Sequence, residues 1–109
     1  MKRDEIPPGT LYLLILKTLA RHGELHGYEI ANSIQHTSEE VLQVEEGSLY
    51  PALHRLEQQG WIKAKWMESE TGRQAKFYAL TAAWRKQLEN ETAHWNRLSS
   101  AINLVIEEA

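Results

Sequence analysis

Apolar residues recur along this chain in three helical runs, one alternating run and a long final seam. The first run, Leu11, Leu13, Leu14, Ile15, Leu16 and Leu19, is apolar on nearly every side. It predicts a helix capped by Thr10 and closed by Gly23. A helix that is hydrophobic all round must be covered all round, and so short a chain is expected to need a second subunit to do it. Pro7, Pro8 and Gly9 end a short polar tail before it. Tyr28, Ile30, Ala31 and Ile34 mark a second helix over 27–35, and the polar connection HTSEEV follows.

The third run lies in EEGSLYPALHRLEQQGWI, residues 45–62. At 100° per residue Leu49, Ala52, Leu53 and Leu56 form one stripe. Gly47, Pro51, His54, Arg55 and Gln58 gather opposite, with Ser48 and Tyr50 at the borders. Proline costs about 3 kcal/mol inside a helix but little in the first turn, where its missing N–H has no partner to lose. Pro51 therefore predicts a helix that starts close before it, capped near Gly47 or Ser48. A start further upstream predicts one missing backbone bond and a slight bend.

After Gly60, WIKAKWM alternates like a strand, with Ile62, Ala64 and Trp66 on one face and Lys63 and Lys65 on the other. ESETGRQ reads as a turn and AKFYALT as the returning strand of a hairpin. From Thr81 no Pro or Gly breaks the chain. Trp84, Leu88, Glu91, Trp95, Leu98, Ile102 and Val105 step by four and three, a heptad seam with one polar member. The order is mainly α with a small β-hairpin, which is the layout of a winged helix-turn-helix plus a long C-terminal helix. Residues 1–80 hold the helix-turn-helix and wing, and 81–109 the terminal helix, within one compact domain.

At 109 residues the chain has room for one domain. There is no cysteine, hence no disulfide framework and no thiolate metal site, which leans toward a cytoplasmic protein. The start, MKRDEIPPGT, lacks the apolar run and cleavage site of a signal peptide. The apolar run 11–16 is far too short to span a bilayer, so no membrane partner is expected. The net charge of −3 argues against nucleic acid until its distribution is considered. Residues 55–76 carry Arg55, Lys63, Lys65, Arg73 and Lys76 against Glu57, Glu68 and Glu70. Residues 36–46 carry Glu39, Glu40, Glu45 and Glu46 with no Lys or Arg.

The stripe opposite the leucines suits a reading surface. A helix in the major groove needs short residues near its N-terminus and Arg, Asn or Gln to meet base edges. The helix N-terminus itself suits a phosphate. Arg73 beside Gly72 at the hairpin tip, with Lys76 on the return strand, can enter a minor groove or grip phosphate. The plain alternatives are a solvated helix face and a solubilising turn. The DNA-binding candidates are Ser48, Tyr50, Pro51, His54, Arg55, Gln58, Arg73 and Lys76, with Tyr50 either at the groove or bracing the helix. His22 and His26 stand four apart, but Gly23 falls between them and no third ligand is in sight, so no metal is expected. Neither a G-x-S-x-G motif nor a glycine-rich phosphate loop is present, which points away from an enzyme, and no cofactor is implied.

A seam of large apolar residues calls for another helix. Packing on the chain's own core is one answer. A two-fold homodimer is the other, with each terminal helix on its partner's terminal and first helices through Leu11, Leu14, Ile15, Trp84, Leu88, Trp95, Leu98, Ile102 and Val105.

HGYEI (26–30), EEGSLYPALHRLEQQGWI (45–62) and GRQAKFYALT (72–81) resemble the PadR family of bacterial transcriptional regulators, over about 11–106 of the chain. The single terminal helix is similar to that of the family's smaller members. The resemblance implies a winged helix whose Ser-Leu-Tyr-Pro helix is the recognition helix and whose hairpin is the wing. It implies a homodimer through the terminal helix, double-stranded DNA with an inverted repeat as partner, and, as in many members, repression released by a small molecule. In some PadR-like proteins a tryptophan at the place of Trp95 lines a central pore and stacks on a small aromatic effector; a plain packing tryptophan is the other reading. The family commonly has a glycine where Trp84 stands here, which alters the neck of the dimer. From the residues alone, a winged helix that binds protein or ligand without DNA is the rival.

Overall fold

Three helices turn their apolar stripes toward one face of a small sheet, and the core forms where these stripes meet. The computed structural model describes residues 4–6 and 9–108; the tail prolines Pro7 and Pro8 lie outside them. Chain order is β1 (Asp4–Glu5), α1 (Leu11–His22), β2 (Leu25–His26), α2 (Gly27–Thr37), β3 (Leu42–Gln43), α3 (Glu46–Gln58), β4 (Ile62–Glu68), β5 (Gln74–Leu80) and α4 (Trp84–Glu107). The chain is mainly helical, a winged helix with a long C-terminal helix.

The core joins Ile15, Leu16 and Leu19 of α1, Ile30 and Ile34 of α2, the α3 stripe Leu49, Ala52, Leu53 and Leu56, and Ile62 and Tyr78 of the sheet. Each large side chain so buried contributes about 1.5–3 kcal/mol. This corrects one expectation. Ile15 is 0% exposed and sits in the chain's own core, so it has no surface to offer a partner. Leu11 and Leu14 are partly buried against the same core. Four elements, α2, α3, β5 and α4, pack on α1 and bury Ile15, Leu16 and Leu19, while Leu13, like Leu11 and Leu14, stays half-buried. Thr10 stands at the N-cap of α1, but its side chain makes no capping bond; its carbonyl accepts the Leu14 N–H at 3.2 Å.

The hairpin pairs in the antiparallel register Ile62↔Leu80 through Glu68↔Gln74. It belongs to a three-stranded sheet, because β2 adds to the far side of β5 with Leu25↔Tyr78 and His26↔Phe77. β1 and β3 form a separate parallel pair, Asp4↔Leu42 and Glu5↔Gln43. Trp66 shares a face with Ile62 and Ala64, as the alternation predicts, yet it is 67% exposed. At roughly 3.3 Å per residue the strand carries Trp66 beyond the reach of the core that covers Ile62.

α3 also begins earlier than expected. Glu45 is its N-cap and Glu46 its first residue, so Pro51 lies in the second turn. Lacking an N–H, Pro51 leaves the Gly47 carbonyl without its helical donor. Glu46 places a carboxylate in the first turn, where it meets the positive end of the helix dipole. The helix ends as predicted at Gly60, whose φ of 81° only glycine adopts readily. The Trp61 N–H reaches the Leu56 carbonyl at 3.1 Å and the Gly60 N–H the Glu57 carbonyl at 3.0 Å, a Schellman closure.

Thr81 anchors the approach to α4: its hydroxyl donates to the Gly60 carbonyl at 2.6 Å and its N–H to that of Trp61 at 3.1 Å. The seam then divides. Trp84, Leu88, Glu91 and Trp95 are half-buried, whereas Leu98, Ile102 and Val105 are exposed. The polar member, Glu91, accepts from the Gln87 side-chain amide at 2.8 Å.

Candidate nucleic-acid interface

Burying the leucine stripe of α3 fixes what faces out. Ser48, Pro51, His54, Arg55 and Gln58 are all exposed, while Leu49, Leu53 and Leu56 are buried to 2% exposure or less. Among the described residues Arg55 has no ion-pair partner, so its guanidinium is available to an acceptor in a groove.

Tyr50, at the border of that stripe, is 47% exposed. One side of its ring rests on Gly27, the first residue of α2. The local sequence explains the contact. His26 caps α2, its Nδ1 accepting the Glu29 N–H at 3.4 Å while Glu29 Oε1 accepts the His26 N–H at 3.1 Å. This reciprocal capping box sets where the helix starts, and glycine at the next position leaves room for the ring. Ile30 then enters the core, and Tyr28 points out, 68% exposed. His26 is thus a helix cap that also meets Phe77 edge-on at 5.2 Å. Among the described residues no three His, Cys, Asp or Glu side chains cluster as a metal site would need.

Arg73 is exposed at the wing tip, in a turn held by Ser69 N–H to Arg73 carbonyl at 2.7 Å and Gly72 N–H to Ser69 carbonyl at 2.9 Å. Lys76 is placed differently. It turns back toward α3, with Nζ 3.3 Å from Glu57 Oε1 and 5.7 Å from the centre of the Tyr78 ring. Burial raises the Tyr78 phenol above its usual range and the Lys76 charge pulls it back, so the ring stays neutral beside the lysine. Lys65, on the opposite face, pairs with Glu24 at 3.4 Å. Gly27, Glu57 and Trp66 are the residues of this surface that sequence reasoning missed. Glu57 lies 19 positions from its partner Lys76, and no helical or strand period reports such a pair.

The transcriptional regulator PadR-like family matches residues 15–90, which run from α1 through α3 and the wing into α4. The chain belongs to the PadR-like family. A transcriptional regulator from Clostridium thermocellum superposes with a TM-score of 0.81 at 29% identity, covering 91% of this chain and 95% of that one. A PadR-like transcriptional regulator from Bacillus cereus gives 0.73 at 28% identity, covering 93% and 95%. An uncharacterised protein of Lysinibacillus sphaericus is 28% identical over 107 residues, 98% of this chain and 97% of that one. PadR-like proteins are DNA-binding transcriptional regulators, and the fold here is their winged helix, with the β4–β5 hairpin as the wing beside α3. The match stops at residue 90, before the exposed half of α4. Among the described residues no helix is long and apolar enough to cross a membrane.

Proposed function

We propose that this PadR-like regulator acts in the cytoplasm as a homodimeric, sequence-specific repressor released from its operator by a small molecule. Each subunit lays the outward stripe of α3 into a major groove, with Ser48, Pro51, His54, Arg55 and Gln58 toward the base edges and Tyr50 at the border. Arg73 reaches the flanking backbone or minor groove. The two α3 helices meet successive major grooves of an inverted repeat, roughly 34–36 Å apart.

The observation that carries this reading is the division of α3: its leucines are sealed in the core and its proline-bearing side is left to solvent, with an arginine that has no ion-pair partner among the described residues. Dimerisation is supported by the exposed half of the α4 seam, since Leu98, Ile102 and Val105 leave a connected apolar strip that water disfavours. In this reading Trp95, half-buried between the covered and uncovered halves of the seam, meets the aromatic effector.

Titrating the dimer with genomic fragments at two salt concentrations tests the proposal. Retained fragments that share an inverted repeat and bind more weakly at high salt support it. Binding that ignores salt, or no binding at all, favours a winged helix that recognises protein or ligand instead.

A further inference from the structure

An open cleft of about 570 Å³ separates α3 from the wing and is lined by Tyr28, Tyr50, His54, Glu57, Trp66 and Lys76, among others. It adjoins the outward stripe and shares His54 and Tyr50 with it. Lys76 is the one Lys or Arg of its lining and Glu57 the one carboxylate, and the two are paired at 3.3 Å. We propose that this cleft is a phosphate site for the DNA backbone, and that Glu57 holds the phosphate's place on Lys76 until DNA displaces it. The inference rests on the DNA-binding reading above and adds to it a residue that tunes affinity.

The geometry supports the exchange. Glu57 Oε1 stands where a phosphate oxygen would meet the ammonium, and both side chains are about one-third exposed, at 34% and 37%. A pair that open is weak and exchanges readily. Trp66 lies directly opposite Lys76 in the strand pairing and is exposed, so its ring is free to pack on a deoxyribose beside the phosphate.

Exchange has a consequence for affinity. When a phosphate takes Lys76, the Glu57 carboxylate is left next to that phosphate, and the repulsion offsets much of what the lysine contributes. Every duplex meets this penalty, because phosphates carry no sequence information. Base contacts along the outward stripe are untouched. Glu57 therefore lowers affinity for all DNA by one common factor, keeps binding reversible, and leaves discrimination between duplexes to the stripe.

The test compares the wild-type dimer with Glu57→Gln, Lys76→Gln and the double variant. Binding is measured from 50 to 200 mM salt, on a duplex selected from genomic DNA and on its scrambled counterpart. Glu57→Gln is expected to bind both duplexes more tightly by the same severalfold factor, leave the ratio between them unchanged, and steepen the salt slope by about 0.9, the value of one phosphate contact. Lys76→Gln is expected to cost more in the Glu57→Gln background than in the wild type and to cancel the added slope. Glu57→Ala gives the same direction as Glu57→Gln, and far-UV circular dichroism confirms that each variant is folded. Equal losses from Lys76→Gln in both backgrounds, or an unchanged slope with Glu57→Gln, overturn the phosphate-site inference while leaving DNA binding intact. A wild-type dimer that binds neither duplex overturns the DNA-binding reading and this inference with it.

Discussion

The ring of Tyr50 fills the space a side chain on Gly27 would need: a Cβ there would come 2.9 Å from the Tyr50 hydroxyl and 3.0 Å from the nearest ring carbon. The contact joins the starts of the two helices of the helix-turn-helix, so the tyrosine braces the recognition helix with one side of its ring and shows the other to solvent. Gly27→Ala is expected to push the ring outward, where it obstructs the approach of a duplex. Stability changes by no more than about 1 kcal/mol, since the half-exposed ring can move and alanine favours the helix. DNA affinity falls. In a Tyr50→Ala background the same change at Gly27 costs no affinity. Melting and binding measurements on the four proteins of this cycle check the coupling, and equal affinity losses in both backgrounds contradict it.

The inward side of α3 makes an opposite demand. Leu53 is fully buried, and Leu53→Ala is expected to remove about 2–5 kcal/mol. That is a large share of the stability of so small a domain. Gln58→Ala, on the outward side, stays within about 0.5 kcal/mol. Urea denaturation of the two variants measures the difference.

What could be read from the sequence followed period and turn chemistry. The α3 stripes, the closure at Gly60 and the hairpin register all follow from local rules. β1, β2 and β3 were not legible, because two residues carry no period and their strands exist only through partners distant in sequence. Alternation gave the face of Trp66 correctly but not how far the core extends under that face. The first helix was apolar all round, yet Ile15 is covered by its own chain, and no pattern of residues distinguishes a chain's own core from a partner's surface. Pro51 marked a helix start too late because Glu46 and Gly47 form a first turn despite the weak propensity of glycine, with the leucines behind them holding the helix in place.

Ile102 and Ile15, both expected at an interface from the sequence, separate cleanly by exposure. Ile102 is 47% exposed on the single chain, and Ile102→Glu is expected to yield folded monomers. Ile15→Glu puts a charge into the core and unfolds the chain. Sedimentation velocity with circular dichroism distinguishes these outcomes; a persistent Ile102→Glu dimer moves the interface elsewhere.

Trp95 gives the effector proposal an optical readout. Planar aromatic compounds are expected to quench wild-type emission more than that of Trp95→Phe, the comparison removing the contributions of Trp61, Trp66 and Trp84. Equal quenching of the two proteins across a broad panel makes Trp95 a packing residue only.

Arg55 tests the account at its centre, the claim that the outward stripe of α3 reads a duplex. Its replacement by alanine is measured on the selected duplex and on a scrambled one at a fixed salt concentration. The account predicts a loss of about 1–3 kcal/mol on the selected duplex and relaxed preference at particular base pairs, with a much smaller loss on the scrambled one. An equal loss on both contradicts it.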